Sequence, residues 1–228
     1  MGADHRLIAP QREIQSVEVI APPWLKPHTG ESLASYASRQ AASLDTSIPF
    51  YLAGLSFGGM VACEAAQYGN PNLRGLILIS TCRSNRGIPP TSRWAGRIIA
   101  PLLPLAVIRA GKWLVPMTRK KFGIVTPQQG VLFDDMLRDS DPAFLKWSLQ
   151  ALLTWRGPQR PITVPVLQVH GEKDRVLPSR LATPDHIISG AGHVMNVTHA
   201  EELNRLIADW IQAREAPMQA VQPSQPLQ

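Results

Sequence analysis

The sequence predicts an α/β protein: a doubly wound, mostly parallel sheet interrupted by a helical cap insertion. Three observations predict it. Near-continuous apolar runs alternate with amphipathic helical patterns through residues 16–80 and again through 163–214. The alternation stops over residues 83–160, where helical stretches, several prolines and four of the six tryptophans occur without a convincing strand. One serine, Ser56, lies in Gly54-Leu55-Ser56-Phe57-Gly58 at the junction of a strand run and a helix run.

Taken in order, the first run is SVEVIAP (16–22), read as a strand. ESLASYASRQAASL (31–44) puts Leu33, Tyr36, Ala37 and Ala41 on one helical face. FYLAGLS (50–56) is a strand, GGMVACEAAQY (58–68) an alanine-rich helix and LRGLILIS (73–80) a further strand. These strands are apolar throughout rather than alternating, as suits a parallel sheet covered on both faces. After the insertion come TVPVLQVH (163–170) and the short HIISG (186–190). AEELNRLIADWIQAR (200–214) then lines up Leu203, Leu206, Ile207, Trp210 and Ile211. The domain reading is a core of residues 1–82 and 161–214, a cap of 83–160, and a Pro/Gln-rich tail, 215–228, expected to be disordered.

Composition narrows the function classes. The chain has 228 residues, 44% hydrophobic and 18% charged, enough for one sizeable core. Its longest apolar candidate, IIAPLLPLAVI (98–108), is broken by Pro101 and Pro104 and falls short of the roughly 20 residues of a membrane span. The N-terminus has no signal-peptide core, and Arg6 stands where a myristoylation motif needs Ser or Thr. Cys63 and Cys82 sit in apolar contexts and read as buried free thiols, which points to a reducing, cytoplasmic setting. The net charge of +6 is uneven: residues 83–160 hold thirteen Lys or Arg against four Asp, the remainder ten against thirteen acids. No zinc spacing, phosphate loop or nucleic-acid motif accompanies the basic block, so nucleic acid is not the expected partner.

The G-x-S-x-G pattern alone is weak, and its context is what matters. A serine in so tight a strand-to-helix turn tolerates only small neighbours, and Gly54 and Gly58 stand where side chains are expected to collide. A hydroxyl needs a base, and the base needs a carboxylate to hold its tautomer. Asp174, in VLQVHGEKDRVLP, follows the 163–170 strand, where catalytic groups of an open sheet gather. His193, in ISGAGHVMN, follows the last short strand among glycines. Glu172 reads as solvated, Asp185 stands at the wrong end of a strand, His170 lies inside one, and His199 reads as a helix cap. His5, His28 and His186 lack the context.

With GLSFGGM carrying Ser56, HGEKDRVLP carrying Asp174 and GAGH carrying His193, the chain resembles the α/β-hydrolase superfamily over nearly everything outside insertion and tail. The resemblance implies the order nucleophile, acid, histidine, a helical lid at 83–160, and hydrolysis through an acyl-enzyme without metal or organic cofactor. It also implies an oxyanion hole built from the Phe57 N–H and a donor from an earlier loop. Family members carry a central strand just before a segment like GADHRLIAPQ, with which this chain begins. The expectation is therefore that N-terminal strands are missing, that Met1 is internal to a longer chain, and that the second donor is the Met1 amide. Only nineteen positions separate Asp174 from His193, so SRLATP is expected to be a bare connection rather than a helix.

The expected substrate is a small-molecule carboxylic ester. A thioester is the alternative, because SFGGMVACEAA resembles the elbow helix of thioesterases. The rival from another class is a truncated, non-catalytic protein that keeps the fold. The cap's basic scatter (Arg93, Arg97, Arg109, Lys112 and Arg119-Lys120-Lys121) reads as a solvated rim around an apolar cover. Its alternative is peripheral contact with an anionic membrane or an acyl carrier.

Overall fold

A computed structural model describes residues 2–15, 17–94, 102, 104–111 and 119–215. Among these residues four strands form one sheet in the order β1-β2-β3-β4: Phe50–Leu55, Leu73–Ile79, Val166–Gly171 and His186–Ile188. All three pairings are parallel, with Leu55 opposite Ile79, Ile79 opposite Val169, and Gly171 opposite Ile188. Every strand therefore ends at the same edge. That edge collects the loops carrying Ser56, Asp174 and His193.

The sheet is covered on both faces, as the unbroken apolar runs require. Leu76 and Leu78 point to one side, into a core with Tyr36, Phe57, Met60 and Trp147. That side is built from α1 (Leu33–Ala42), α2 (Phe57–Ala66) and a helix of the insertion, α4 (Pro142–Thr154). Ile77 and Ile79 point to the other side, into a core with Val169, Ile188, Leu203, Ile207 and Ile211. The last three belong to α5 (Ala200–Glu215), whose Trp210 lies over Gly75, where a Cβ would come within 2.5 Å of the indole.

Two segments differ from expectation. Residues 17–22 form no strand and pair with none, and Ser16 is outside the described residues. Val17 packs with the second core and Leu25 with the first, while Ile20 is 73% exposed. The apolar pattern is present, but no neighbouring strand takes the backbone groups, and a lone extended segment cannot form a ladder. Just upstream, His5–Glu13 is a nine-residue 3₁₀ helix that no periodicity in the sequence announces. Side-chain amides fasten it: Asn196 Nδ2 donates to the Leu7 carbonyl at 2.7 Å, Asn204 Nδ2 to Pro10 at 2.8 Å, and Gln11 Nε2 to Asn196 at 2.8 Å.

Between β2 and β3 stand α3 (Pro127–Asp139), opened by a Thr126–Gln129 capping box, and α4, capped by Asp141. Short helices lie at Leu105–Gly111 and Arg119–Phe122. Trp147 Nε1 donates to the Glu31 carbonyl at 2.9 Å and fixes α4 to the start of α1. Trp155 Nε1 donates to the buried Glu64 carboxylate on α2 at 2.6 Å, and Gln67 donates to its other oxygen. Arg119 pairs with Asp134, Arg109, Lys120 and Lys121 are exposed, and Arg97 and Lys112 are outside the described residues. So are residues 216–228, on which most of the tail expectation falls. Between Asp174 and β4 only a 3₁₀ turn, Ser179–Leu181, forms, in keeping with the short spacing. Cys63 and Cys82 are free, and burial pushes both thiols up to about 12, so both stay protonated and unreactive. Among the described residues no helix is long and apolar enough to cross a membrane.

Glu64 is a buried carboxylate satisfied by neutral donors, so removing one is costly. Trp155→Phe should lower unfolding free energy by about 1–3 kcal/mol, measured by urea denaturation. A Trp155→Phe protein as stable as the parent would mean that the indole N–H does not support Glu64.

Candidate active site

Ser56 is the hinge between β1 and α2, and its backbone is strained, at φ 52 and ψ −120. Such a conformation persists only when its surroundings over-determine it. Here the Ser56 N–H continues the β1–β2 ladder to the Ile79 carbonyl at 2.9 Å. Its carbonyl accepts from Gly59 N at 3.0 Å, Met60 N at 3.4 Å and Thr81 Oγ1 at 2.6 Å. The side chain itself is half-buried rather than sealed in.

The glycines around it divide unexpectedly. A Cβ on Gly54 would lie 2.4 Å from the Gly58 carbonyl oxygen, so this glycine is required where strand meets helix. A Cβ on Gly58 would only touch the Trp24 ring at 3.7 Å, an ordinary contact, so the expected collision there does not occur. The second crowded position is Gly59, where a Cβ would fall 2.3 Å from Thr81 Cγ2. The sequence shows a double glycine after the serine, but only the place of Thr81 tells which of the two is confined.

Asp174 and His193 meet. His193 Nδ1 lies 2.8 Å from Asp174 Oδ2, and both side chains are buried. The other carboxylate oxygen accepts from Val176 N at 2.8 Å and Leu177 N at 3.0 Å, which leaves the acid little freedom to turn. Because Nδ1 is committed to Asp174, Nε2 is the nitrogen available for proton exchange. The two loops are sewn together: Glu172 N donates to Ile188 and Lys173 N to Ala191, and a Cβ on Gly171 would lie 2.5 Å from both the Ala191 and Gly192 carbonyls. Ser56 stands at the same sheet edge, on β1, with β2 between it and the acid loop. Among the described residues no hydrogen bond joins Ser56 Oγ to the imidazole.

The insertion reaches the histidine directly. The Phe122 ring lies edge-on to His193 at 5.7 Å, the Phe122 carbonyl accepts from Val194 N at 3.1 Å, and Gly123 and Gly192 touch backbone to backbone. Nothing in the sequence marks these residues, since the contact joins segments some seventy positions apart. Phe57 is the first residue of α2, so its N–H has no partner within the helix and is available to a ligand. Its ring packs among Trp24, Phe144 and Trp147. Met1 lies outside the described residues. Two residues on, the Ala3 carbonyl accepts from Trp24 Nε1 at 3.2 Å, which brings the N-terminal run beside the ring that touches Phe57.

The other candidates have different partners. Glu172 is exposed and accepts from Ser189 and Gly190, Asp185 accepts from Gln168 N, and His199 meets Thr198. His170 is fully buried, and among the described residues neither ring nitrogen makes a well-formed hydrogen bond; burial pushes it below the usual imidazole range despite the nearby Asp174 charge and Leu177 backbone. Among the described residues no group of three or more His, Cys, Asp or Glu converges as a metal site requires.

A family profile described as the alpha/beta hydrolase family matches residues 5–206. No curated protein is similar enough in sequence to count as a match. Solved structures share the fold. A thermophilic esterase from Thermogutta terrifontis superposes with a TM-score of 0.71 at 20% identity, covering 93% of this chain and 86% of that one. MenH from S. aureus gives 0.72 at 19% identity, covering 94% and 91%. The N-acyl homoserine lactonase AidH gives 0.66 at 19% identity, covering 94% and 87%.

Gly54→Ala should abolish soluble folded protein or cost several kcal/mol, whereas Gly58→Ala should fold normally; thermal unfolding of the two side by side decides. Burial disfavours the charged form of His170 in the folded protein, while the unfolded chain takes up a proton below about pH 6.5. Stability present at neutral pH is thus lost as pH falls through that range. The slope of Tm against pH should be smaller in His170→Leu, and equal slopes would refute the assignment.

Proposed function

This chain belongs to the alpha/beta hydrolase family, and from that premise we propose that it is a serine hydrolase acting on a carboxylic ester. The observation that carries the reading is the buried 2.8 Å Asp174–His193 pair, standing at the sheet edge that also presents a serine in a strained turn.

Ser56 Oγ attacks the acyl carbon while His193 Nε2 takes its proton, and Asp174 steadies the imidazolium that forms. The Phe57 N–H stabilises the oxyanion; the expectation of a second donor at Met1 falls outside the described residues. Collapse of the tetrahedral intermediate returns the proton to the leaving alcohol and leaves an acyl-Ser56 ester. Water, activated by the same histidine, then releases the acid. No step calls on a metal or an organic cofactor.

An apolar acyl group suits the surroundings. Trp24, Phe144 and Trp147 surround the Phe57 ring at the start of α2, an aromatic setting beside Ser56. The described part of the 83–160 insertion, which meets the histidine loop through Phe122, acts as a cap, and the exposed Lys120 and Lys121 offer a contact for an anionic acyl carrier or membrane surface. A cytoplasmic setting fits the two reduced cysteines. The thioester reading rests on the alanine-rich helix after Ser56, and direct comparison of substrates decides between them.

A fluorophosphonate probe should label the parent protein and leave Ser56→Ala unlabelled. Asp174→Asn should lower kcat by about 10⁴-fold. A panel of p-nitrophenyl esters of rising chain length, run beside acyl-CoA thioesters, should favour the esters. Folded protein that neither labels nor hydrolyses any of them is a non-catalytic relative.

A further inference from the structure

Thr81 plays no part in the proton relay, yet it makes the shortest hydrogen bond to the Ser56 backbone. It lies two residues beyond β2, where Ser80 takes a positive φ of 44 and turns the chain out of strand alternation. The Thr81 side chain is buried against the α2 entrance, in space that exists because residue 59 has no Cβ. Its Oγ1 donates to the Ser56 carbonyl at 2.6 Å. The other two donors to that carbonyl, Gly59 N and Met60 N, belong to the first turn of α2 and lie at 3.0 and 3.4 Å.

The Ser56 carbonyl and the Phe57 N–H are two ends of one peptide group. The bond is trans, so the C=O and N–H bonds point in opposite directions within one plane, and fixing one direction fixes the other. We propose that Thr81 is a positioning residue for hydrolysis: its hydroxyl locks the Ser56–Phe57 peptide plane and thereby aims the Phe57 N–H at the developing oxyanion. This rests on the reading of Ser56 as the nucleophile. The same bond polarises the peptide, which strengthens the N–H as a donor.

Thr81 is itself anchored. Its carbonyl accepts from the buried Gln168 Nε2 at 3.0 Å, and Gln168 Oε1 accepts from Arg83 Nε at 2.8 Å. The Gln168 backbone N–H donates to Asp185 Oδ2 at 2.7 Å. The aim of the Phe57 N–H is therefore set from β3 and the loop before β4, across β2, and not by the helix alone. A hydroxyl that merely satisfied a spare lone pair would need no such bracing. The free turn of an α-helix can fray, and this anchorage removes that freedom at the one peptide whose N–H is meant for a ligand.

Two variants separate donor from packing. Thr81→Val keeps the shape and removes the donor, and Thr81→Ser keeps the donor and removes a methyl group. With a p-nitrophenyl ester, Thr81→Val should lower kcat by roughly 10- to 100-fold, somewhat less than outright loss of an oxyanion donor, with KM unchanged. A trifluoromethyl ketone, which forms an oxyanion on Ser56, should bind more weakly by the same factor, while the product carboxylic acid should bind as before. Thr81→Ser should stay within about threefold of the parent. Thermal unfolding of each variant shows that it is folded. Parent-like kcat in Thr81→Val overturns the proposal, and so does equal impairment of both variants, which would make the role one of packing. A parent protein that neither turns over ester nor takes a fluorophosphonate at Ser56 removes the nucleophile reading, and this proposal with it. Activity in the parent keeps the two failures apart.

Discussion

Everything at this site depends on one crowded crossing, where the end of β1 turns into α2. The chain reverses direction there within a single residue, and the cost is a serine held at φ 52. Strain of that kind needs opposition from all sides. The ladder to Ile79 pulls the Ser56 N–H one way, and Thr81 with the first turn of α2 holds its carbonyl the other way. Gly54 and Gly59 supply the clearance, each where an added carbon would strike a neighbour closer than real atoms approach. The parallel sheet beneath makes this useful, because it ends every strand at one edge and so brings residues 118 and 137 positions downstream of Ser56 to the same side.

How much of this could be read in the sequence follows from how local each cause is. Asp174 and His193 were legible because each follows a recognisable strand run, and because chain order supplied what proximity could not. The helix 31–44 and the two strands around the serine were legible from apolar pattern alone. The segment 17–22 carries the same kind of pattern and forms no strand, because pairing is a property of neighbours and not of the run itself. The 3₁₀ helix at 5–13 left no trace in periodicity, since amides at 196 and 204 secure it from across the chain. The motif singles out Gly58, yet a threonine twenty-two residues beyond Gly59 makes Gly59 the confined one.

The two cores divide the work. The face holding α1, α2 and α4 is rich in aromatic rings, with Tyr36 and Trp147 at 4.4 Å and Phe57 edge-on to Phe144 and Trp147. It ties the helix after Ser56 to the insertion, and the Trp155–Glu64 bond adds a polar pin to the same joint. The buried residues of the opposite face are aliphatic apart from Met195, with the Tyr51–Trp210 ring pair beside them, and they support the histidine loop through Met195 and Ala191. Ser56 and His193 are thus backed by different layers of the protein, joined through the sheet.

The meeting of Gly123 with Gly192 has a mechanical meaning. Two bare backbones lie against each other there, so close that a Cβ added to either would come within 2.7 Å of the other's Cα. No side chain stands between them, so main chain alone sets how near the insertion comes to the histidine loop. A single added carbon at either position would act as a wedge, prising the insertion from that loop and drawing the Phe122 ring off the imidazole.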